Sequence, residues 1–145
     1  MSRAATGRPW IDQHGLGVLE HEECIRRLEA SSYGRVAYMH GDRCLVLPVI
    51  HVVVEGRVVF RSSIGTKLGE AATSGQCSFQ VDHYDPDAGG GWSVLVCGTL
   101  SIVRDASLLK RLEDRPLPPV PGAAQGRWVA LEIEELSGRE LQARR

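Results

Sequence analysis

The sequence predicts a mainly β domain with short α-helices, folded as a six-stranded, mainly antiparallel split β-barrel. The chain contains about six segments rich in β-branched and aromatic residues, such as "RCLVLPVIHVVV" and "WSVLVCGTLSIVR". Most links between these segments are shorter than the roughly dozen residues that a parallel crossover needs. Closing strands of this length into a ring removes the unpaired edges that an open sheet would expose.

Length and composition place the chain among ordinary globular domains. It has 145 residues, of which 43% are hydrophobic and 24% charged, so one domain is expected. The formal net charge of −1 gives no basic field for nucleic acid or an anionic membrane surface, and we expect neither as a partner. We also expect a cytoplasmic protein, because there is no signal-peptide pattern and no apolar run of about 18 residues.

The first part of the chain predicts a tail and a helix. Residues 1–17 mix glycine, proline and charge, and we interpret them as a flexible tail before a domain over residues 18–145. The segment "LEHEECIRRLEAS" then brings Cys24 and Leu28 to one helical face, with charged residues elsewhere. The helix is expected to end near Ser31–Gly34.

Three strands are predicted next. "GRVAYMH" alternates as a strand does, Gly41–Asp42 marks a turn, and "RCLVLPVIHVVV" is the second strand. Pro48 within that strand cannot donate to a ladder, so the strand is expected to be at an edge, bulged or beside a ligand there. Glu55–Gly56 marks a second turn, before "RVVFRSS" as the third strand.

The second half predicts further strands and two short helices. A helix over Lys67 to about Ser74 precedes the strand "QCSFQVDHY", and "DPDAGGG" is expected to be a flexible loop. "WSVLVCGTLSIVR" is a long strand with a bulge or bend at Gly98. Asp105 is expected to cap a helix. A proline-rich loop, "RPLPPVPGAAQG", then leads to the last strand or strands in "RWVALEIEELSGREL".

No metal site is predicted. The 4 cysteines are scattered without a CxxC pair, so we expect four buried, reduced thiols. The aspartates of "VDHYDPDAGGG" lack the spacing and the closing glutamate of a calcium loop, and indicate an Asp-rich turn instead.

The segment "FRSSIGTKLGEAATSG" has the composition of an anion site. Arg61 offers a planar fork of donors and Lys67 a point charge, where a strand ends and a helix begins. Thr66 can cap that helix, whose first N–H groups favour an anion. The alternative is a plain helix cap with two solvated surface charges.

The chain resembles the pyridoxamine 5′-phosphate oxidase-like family of FMN-binding split β-barrels over roughly residues 18 to 141. The resemblance rests on the order and spacing of "SSYGRVAY", "LVLPVIHVVVEGRVVFRSSIGTKL", "FQVDHYDPDAGGGWSVLVCGTL" and "WVALEIEELSGREL". It implies that the FMN phosphate and ribityl chain contact Arg61, Ser62, Thr66 and Lys67.

The resemblance also implies where the isoalloxazine ring lies. Backbone groups near Pro48, Val49 and Ile50 would face the polar edge of the ring. Trp92 and Ser93 would reach the flavin, often from the second subunit of a dimer. The alternatives are that Pro48 is simply an edge-strand proline and that Trp92 belongs to the core or to an interface.

His51 is a candidate for a catalytic residue. The ordinary pKa of histidine lies near neutrality, which suits proton transfer. However, His51 sits in an apolar strand, where a structural histidine is commoner. Relatives often have an asparagine where this chain has Ile50, so a substrate contact at that position is not expected.

We therefore expect a homodimeric, FMN-dependent oxidoreductase that acts on a small-molecule substrate of unknown identity. The flavin would supply the redox chemistry. The chain ends in "GRELQARR" and lacks the family's Arg-rich substrate segment, so pyridoxamine phosphate is not the expected substrate. The alternatives are a non-catalytic flavin-binding protein, a deazaflavin- or haem-binding reductase, and a structural dimer with an empty site.

Overall fold

The computed structural model describes residues 15–62, 75–114 and 126–142. Within them the chain forms eight strands and two helices. These are β1 (Gly17–Val18), α1 (His21–Ala30), β2 (Tyr33–His40), β3 (Arg43–Val54), β4 (Arg57–Ser62), β5 (Gln76–Asp85), β6 (Gly90–Ile102), α2 (Ala106–Glu113), β7 (Arg127–Glu132) and β8 (Glu135–Leu141). The helix predicted after Lys67 and nearly all of the proline-rich loop lie outside the described residues, as does most of the predicted tail.

Six strands close into a ring in the order β2-β3-β4-β7-β6-β5, and β5 pairs back onto β2. All pairings are antiparallel. β8 extends the sheet beyond β6, and β1 pairs with β8. The predicted fold class, mainly β and antiparallel with six strands forming the ring, is therefore confirmed. The last predicted segment, left open as one strand or more, provides two.

The strand β6 belongs to two parts of the sheet and changes neighbours at Gly98. It pairs with β8 up to Cys97 and with β7 from Leu100. Its register with β5 continues through Gly98 without an extra residue, so of the predicted bulge or bend, the bulge is wrong. Glycine is needed there because a Cβ atom would overlap the backbone carbonyl oxygen of Glu132.

Two hydrophobic clusters hold these strands. The main core lies inside the ring, where Phe60 and Phe79 are fully buried. Leu28 of α1 is also fully buried and belongs to the same cluster. The second cluster lies on the opposite face of β4 and β7 and is covered by α2. Its buried members are Val54, Val59, Val103, Leu108, Leu112, Trp128 and Ala130. The β4–β7 pair is thus buried on both faces.

The local signals at helix ends and turns agree with the structure. The Asp105 side chain accepts a hydrogen bond from the Ser107 N–H at 2.9 Å, which confirms the predicted cap of α2. The Asp-rich segment forms the turn between β5 and β6, where the Asp85 carboxylate accepts the Asp87 and Ala88 N–H groups. Neither described helix has the length and apolar character that crossing a membrane requires.

The cysteines differ in exposure. All four are free thiols. Cys24 and Cys77 are buried, and burial raises the pKa of the Cys77 thiol to about 12. Cys44 is exposed and Cys97 is half-buried, so the expectation of four buried thiols is wrong for these two. Both project from the solvent side of the sheet, which the sequence pattern alone did not indicate.

The close approach of backbone at Gly98 makes this position sensitive to an added methyl group. Gly98→Ala should lower the free energy of unfolding by about 3 kcal/mol, because the added methyl group meets backbone rather than a movable side chain. Urea denaturation measures the loss. Ser101→Ala, an exposed position on the same strand, is the matched control and should change stability little. Equal stability of Gly98→Ala and wild type would contradict the close approach.

Candidate functional site

The strand β3 is paired on both edges over only part of its length. β2 pairs with it continuously from Arg43 to Ile50, whereas β4 pairs with it only from His51 to Val54. In the described part of the chain, no strand pairs with the second edge of β3 over Arg43–Ile50. We call this stretch the open edge. Pro48 lies in it, as expected for a proline that cannot donate to a ladder.

The register tells which backbone groups the open edge presents. The His51 N–H donates to the Ser32 carbonyl at 2.9 Å, so the polar groups of His51 point towards β2. Because backbone groups alternate in direction along an antiparallel strand, those of Val46, Pro48 and Ile50 point the other way. The N–H groups of Val46 and Ile50 and the carbonyls of Val46 and Pro48 are therefore directed to the open edge. They can bind a flat polar ligand laid along the strand.

The end of β4 borders the same opening. The β3–β4 ladder stops at the His51–Phe60 pair, and β4 continues through Arg61 and Ser62 against β7. Directly opposed residues of an antiparallel pair share a face. Because side chains alternate, Arg61 lies on the face of Ile50 and Pro48, whereas Ser62 is buried on the other face with Phe60.

An aromatic ring lies against the Arg61 side chain. Trp128 on β7 is directly opposite Arg61 on β4, and the guanidinium carbon is 4.7 Å from the centre of the indole ring. Arg61 is half-buried and Trp128 is only 5% exposed. This distance is typical of a cation–π contact between the guanidinium and the indole ring.

His51 is part of the core. It is 2% exposed, its ring makes an edge contact with Phe79 at 4.7 Å, and its Nε2 is 3.1 Å from the Leu28 carbonyl. A carbonyl only accepts, so Nε2 carries the proton and donates. Burial lowers the pKa of His51, because the charged ring would lose its hydration. The ring therefore ties α1 to β3, and its side chain points away from the face that carries Arg61.

The predicted residues on β6 lie elsewhere in this chain. β5 and β2 separate β6 from β3 in the sheet. Trp92 packs against the main core beneath the Arg27 guanidinium, which is 5.0 Å from the ring centre, and lines a groove of about 490 Å³ with Glu140 and His83. Ser93 points to the opposite face.

The structure thus brings together only some of the predicted residues. Pro48, Ile50 and Arg61 border the opening between β3 and β4, and the side chain of Val49 points into the main core. Thr66 and Lys67 lie outside the described residues. Among all the residues that the structure describes, no group of three or more His, Cys, Asp or Glu side chains is arranged to hold a metal ion.

One residue at the site was missed by the sequence reasoning. The alternation in "RWVALE" predicts that Trp128 lies on one face of a strand, but it does not give the partner strand. Trp128 meets Arg61 only because β4 pairs with β7 across 66 intervening residues, from 62 to 127. No local signal specifies that pairing.

Comparison with known proteins decides the family. The sequence matches the model of the pyridoxamine 5′-phosphate oxidase family over residues 20–140. The chain belongs to this family. The resemblance that the sequence motifs indicated is therefore confirmed.

Individual relatives agree with the family and the fold. Rv0080, an uncharacterised protein of Mycobacterium tuberculosis, is 32% identical over 130 residues, which cover 86% of this chain and 85% of that protein. The structure of an FAD binding protein from Mycobacterium smegmatis matches with a TM-score of 0.73 and 29% identity, covering 86% of this chain and 97% of the other. An FAD-binding protein from Mesorhizobium loti matches with a TM-score of 0.68 and 25% identity, covering 88% and 99%.

The buried histidine makes stability depend on pH. The folded-state pKa of His51 lies below its ordinary value of 6.5, so the unfolded chain takes up a proton first as the pH falls. The free energy of unfolding should therefore decrease as the pH falls through about 6.5, by up to about 1.4 kcal/mol per unit, until the folded-state pKa is passed. Urea denaturation across this pH range measures the slope.

Two variants separate His51 from the other titrating groups. His51→Gln keeps an N–H donor for Leu28 but does not titrate, so this part of the pH dependence should disappear. His83→Gln removes an exposed histidine on β5 and should retain the wild-type slope. An unchanged slope in His51→Gln would show that the imidazole is not the buried neutral group that the structure indicates.

Proposed function

We propose that this protein binds FMN at the opening between β3 and β4 and works as a flavin-dependent oxidoreductase on a small molecule. The observation that carries the proposal is the end of the β3–β4 ladder at His51–Phe60, which leaves the open edge beside Arg61. Membership of the pyridoxamine 5′-phosphate oxidase family and the two flavin-binding structural relatives support the same cofactor class.

The groups at the opening fit a flavin nucleotide. The guanidinium of Arg61 suits a phosphate, because its planar fork donates two parallel hydrogen bonds. The open edge offers both N–H donors and carbonyl acceptors, which suits the mixed donors and acceptors on the polar edge of an isoalloxazine ring. Lys67 and Thr66 follow β4 closely in sequence and are proposed as further phosphate ligands on the family resemblance.

When bound, the flavin would supply the two-electron chemistry. The role of the chain is to hold and orient it. Ile50 and Pro48 would fix one edge of the ring, and Arg61 would fix the phosphate. His51 is assigned no catalytic part, because its ring is enclosed by the core and hydrogen-bonded to Leu28.

FAD is the second candidate cofactor. It contains the same isoalloxazine ring, ribityl chain and first phosphate as FMN, so the opening would hold that half in the same way. The two relatives described as FAD-binding, at 29% and 25% identity, favour this candidate. A comparison of FMN, FAD and riboflavin affinities therefore decides how much of the nucleotide the protein recognises.

We further propose that two copies of the chain form the complete site. Trp92 and Ser93 are separated from β3 by two strands within one chain, and a second copy would bring the β5–β6 hairpin to the flavin. The solvent face of the sheet supports such an interface. Tyr33, Val46 and Leu95 project from this face and are 56%, 63% and 42% exposed. A two-fold axis through it would generate two equivalent sites.

The cofactor proposal makes a direct prediction. Freshly purified protein should carry the visible absorption of a flavin, which differs from that of deazaflavin or haem. Arg61→Ala should weaken FMN binding about tenfold to a hundredfold, because hydrogen bonds to charged groups contribute about 1.5–3 kcal/mol. Riboflavin, which has no phosphate, should bind wild type and variant almost equally. Titration of the apoprotein by fluorescence quenching gives both affinities.

Arg57→Ala is the matched control for this experiment. Arg57 is a half-buried arginine on the same strand and face, but it lies at the other end of β4 and pairs with Glu55 and Glu132. Its removal should leave FMN binding unchanged. If folded Arg61→Ala binds FMN as tightly as wild type does, the phosphate is not held at the end of β4.

The proposed dimer is tested separately. Wild-type protein should sediment as a dimer at micromolar concentration, and Val46→Asp should shift it towards monomer, because a carboxylate would be buried without a partner. FMN affinity should fall with the dimer. Ser101→Asp, at an exposed position beyond Gly98 on β6, should leave the dimer intact. A wild-type monomer that binds FMN tightly would rule out a site shared between two copies.

A further inference from the structure

We propose that Trp128 is a positioning residue that orients the guanidinium of Arg61 towards the flavin phosphate. This inference rests on the proposed function, since it assigns a role within the same phosphate site. It adds a residue that neither the sequence motifs nor the family resemblance indicated. It rests on one contact: the centre of the Trp128 indole ring is 4.7 Å from the Arg61 guanidinium carbon. The two residues are directly opposite each other on the paired strands β4 and β7.

The geometry of a guanidinium allows stacking and phosphate binding at once. An aromatic ring contacts the face of the planar group, whereas its N–H donors lie in the plane and point outwards. A ring over the face therefore fixes the plane of the guanidinium without using its donors. An arginine held in this way has fewer rotamers to lose when it binds an anion, which increases its affinity for a planar pair of phosphate oxygens.

The ring itself is held by the second cluster. Trp128 packs with Leu108 and Leu112 of α2 and with Val103, whose N–H donates to the Trp128 carbonyl at 2.9 Å. Its backbone also belongs to the β4–β7 ladder, in register with Arg61. Because packing and backbone pairing both restrain the indole, it is a rigid support, and the side chain of Arg61 is the part that it orients.

The choice of tryptophan at this position is not explained by packing alone. The indole Nε1 is buried and has no hydrogen-bond partner among the residues that the structure describes. A buried donor without a partner is unfavourable, and phenylalanine or leucine would fill an apolar cluster without that cost. Among aromatic side chains, however, the indole has the face that attracts a cation most strongly. The contact with Arg61 therefore explains why position 128 has an indole, which a purely structural core position would not require.

A double-mutant cycle with two flavins tests the inference. The measured quantity is the phosphate preference, defined as the dissociation constant for riboflavin divided by that for FMN. Trp128→Leu should lower the phosphate preference about threefold to thirtyfold in protein that retains Arg61. In the Arg61→Ala background, the same substitution should leave the phosphate preference unchanged, because the oriented group is gone.

Val54→Ala is the structural control. Val54 belongs to the same cluster but pairs with Arg57, at the other end of β4 from Arg61, so its truncation should lower stability and leave the phosphate preference at the wild-type value. Trp128→Leu would overturn the inference if it left the phosphate preference unchanged. An equal decrease with and without Arg61 would also overturn it, because the effect would then not pass through the guanidinium.

If Trp128→Leu does not fold, 5-fluorotryptophan incorporation replaces it. Fluorine withdraws electrons from the ring face and weakens cation–π attraction while nearly preserving the shape of the indole. The phosphate preference should then fall about twofold or more in protein with Arg61 and stay constant in Arg61→Ala. A constant phosphate preference in both proteins would reject the positioning role.

The failure of this inference can be told apart from the failure of the proposed function. Wild-type protein with no phosphate preference would refute the phosphate site, and the positioning role with it. A large phosphate preference that is lost in Arg61→Ala but insensitive to Trp128 would retain the proposed site and remove only the role of the indole.

Discussion

A β-strand has two edges, and the edges of β3 are used differently along its length. β2 occupies one edge from Arg43 to Ile50, while β4 occupies the other only from His51 to Val54. Every feature of the proposed site follows from this division. Among the described strands, it leaves backbone donors and acceptors beside Pro48 without a partner, and it ends β4 beside the same opening, with Arg61 on the face that Pro48 and Ile50 share.

The surrounding structure keeps this opening in place. On one side, buried His51 ties the end of α1 to β3 through the Leu28 carbonyl. On the other side, β4 extends beyond the β3–β4 ladder and remains paired with β7. The helix α2 covers this pair of strands through the second cluster. Gly98 lets β6 run from the main sheet to β7 where the backbone comes close to Glu132. The strands next to the opening are therefore fixed by a core that does not depend on a ligand.

Local structure could be predicted well from the sequence. The bounds of β3 agree with the segment "RCLVLPVIHVVV", and Asp105 caps α2, because periodicity and capping depend on neighbouring residues. The contacts between distant strands could not be predicted. Trp128 faces Arg61 through a pairing of residues far apart in the chain, and a strand pattern does not name its partner. Gly98 was interpreted as a bulge or a bend for the same reason, since the approaching carbonyl of Glu132 belongs to another strand.

The most direct measurement is residue-resolved amide hydrogen exchange with and without FMN. The N–H groups of Val46 and Ile50 point to the open edge, whereas those of Leu47 and Val49 point to β2. FMN should slow exchange at Ile50, and also at Val46 if the ring extends that far, while Leu47 and Val49 are slow from the start. If FMN binds and the Ile50 amide exchanges as fast as before, the flavin does not lie along β3, and the central claim is wrong.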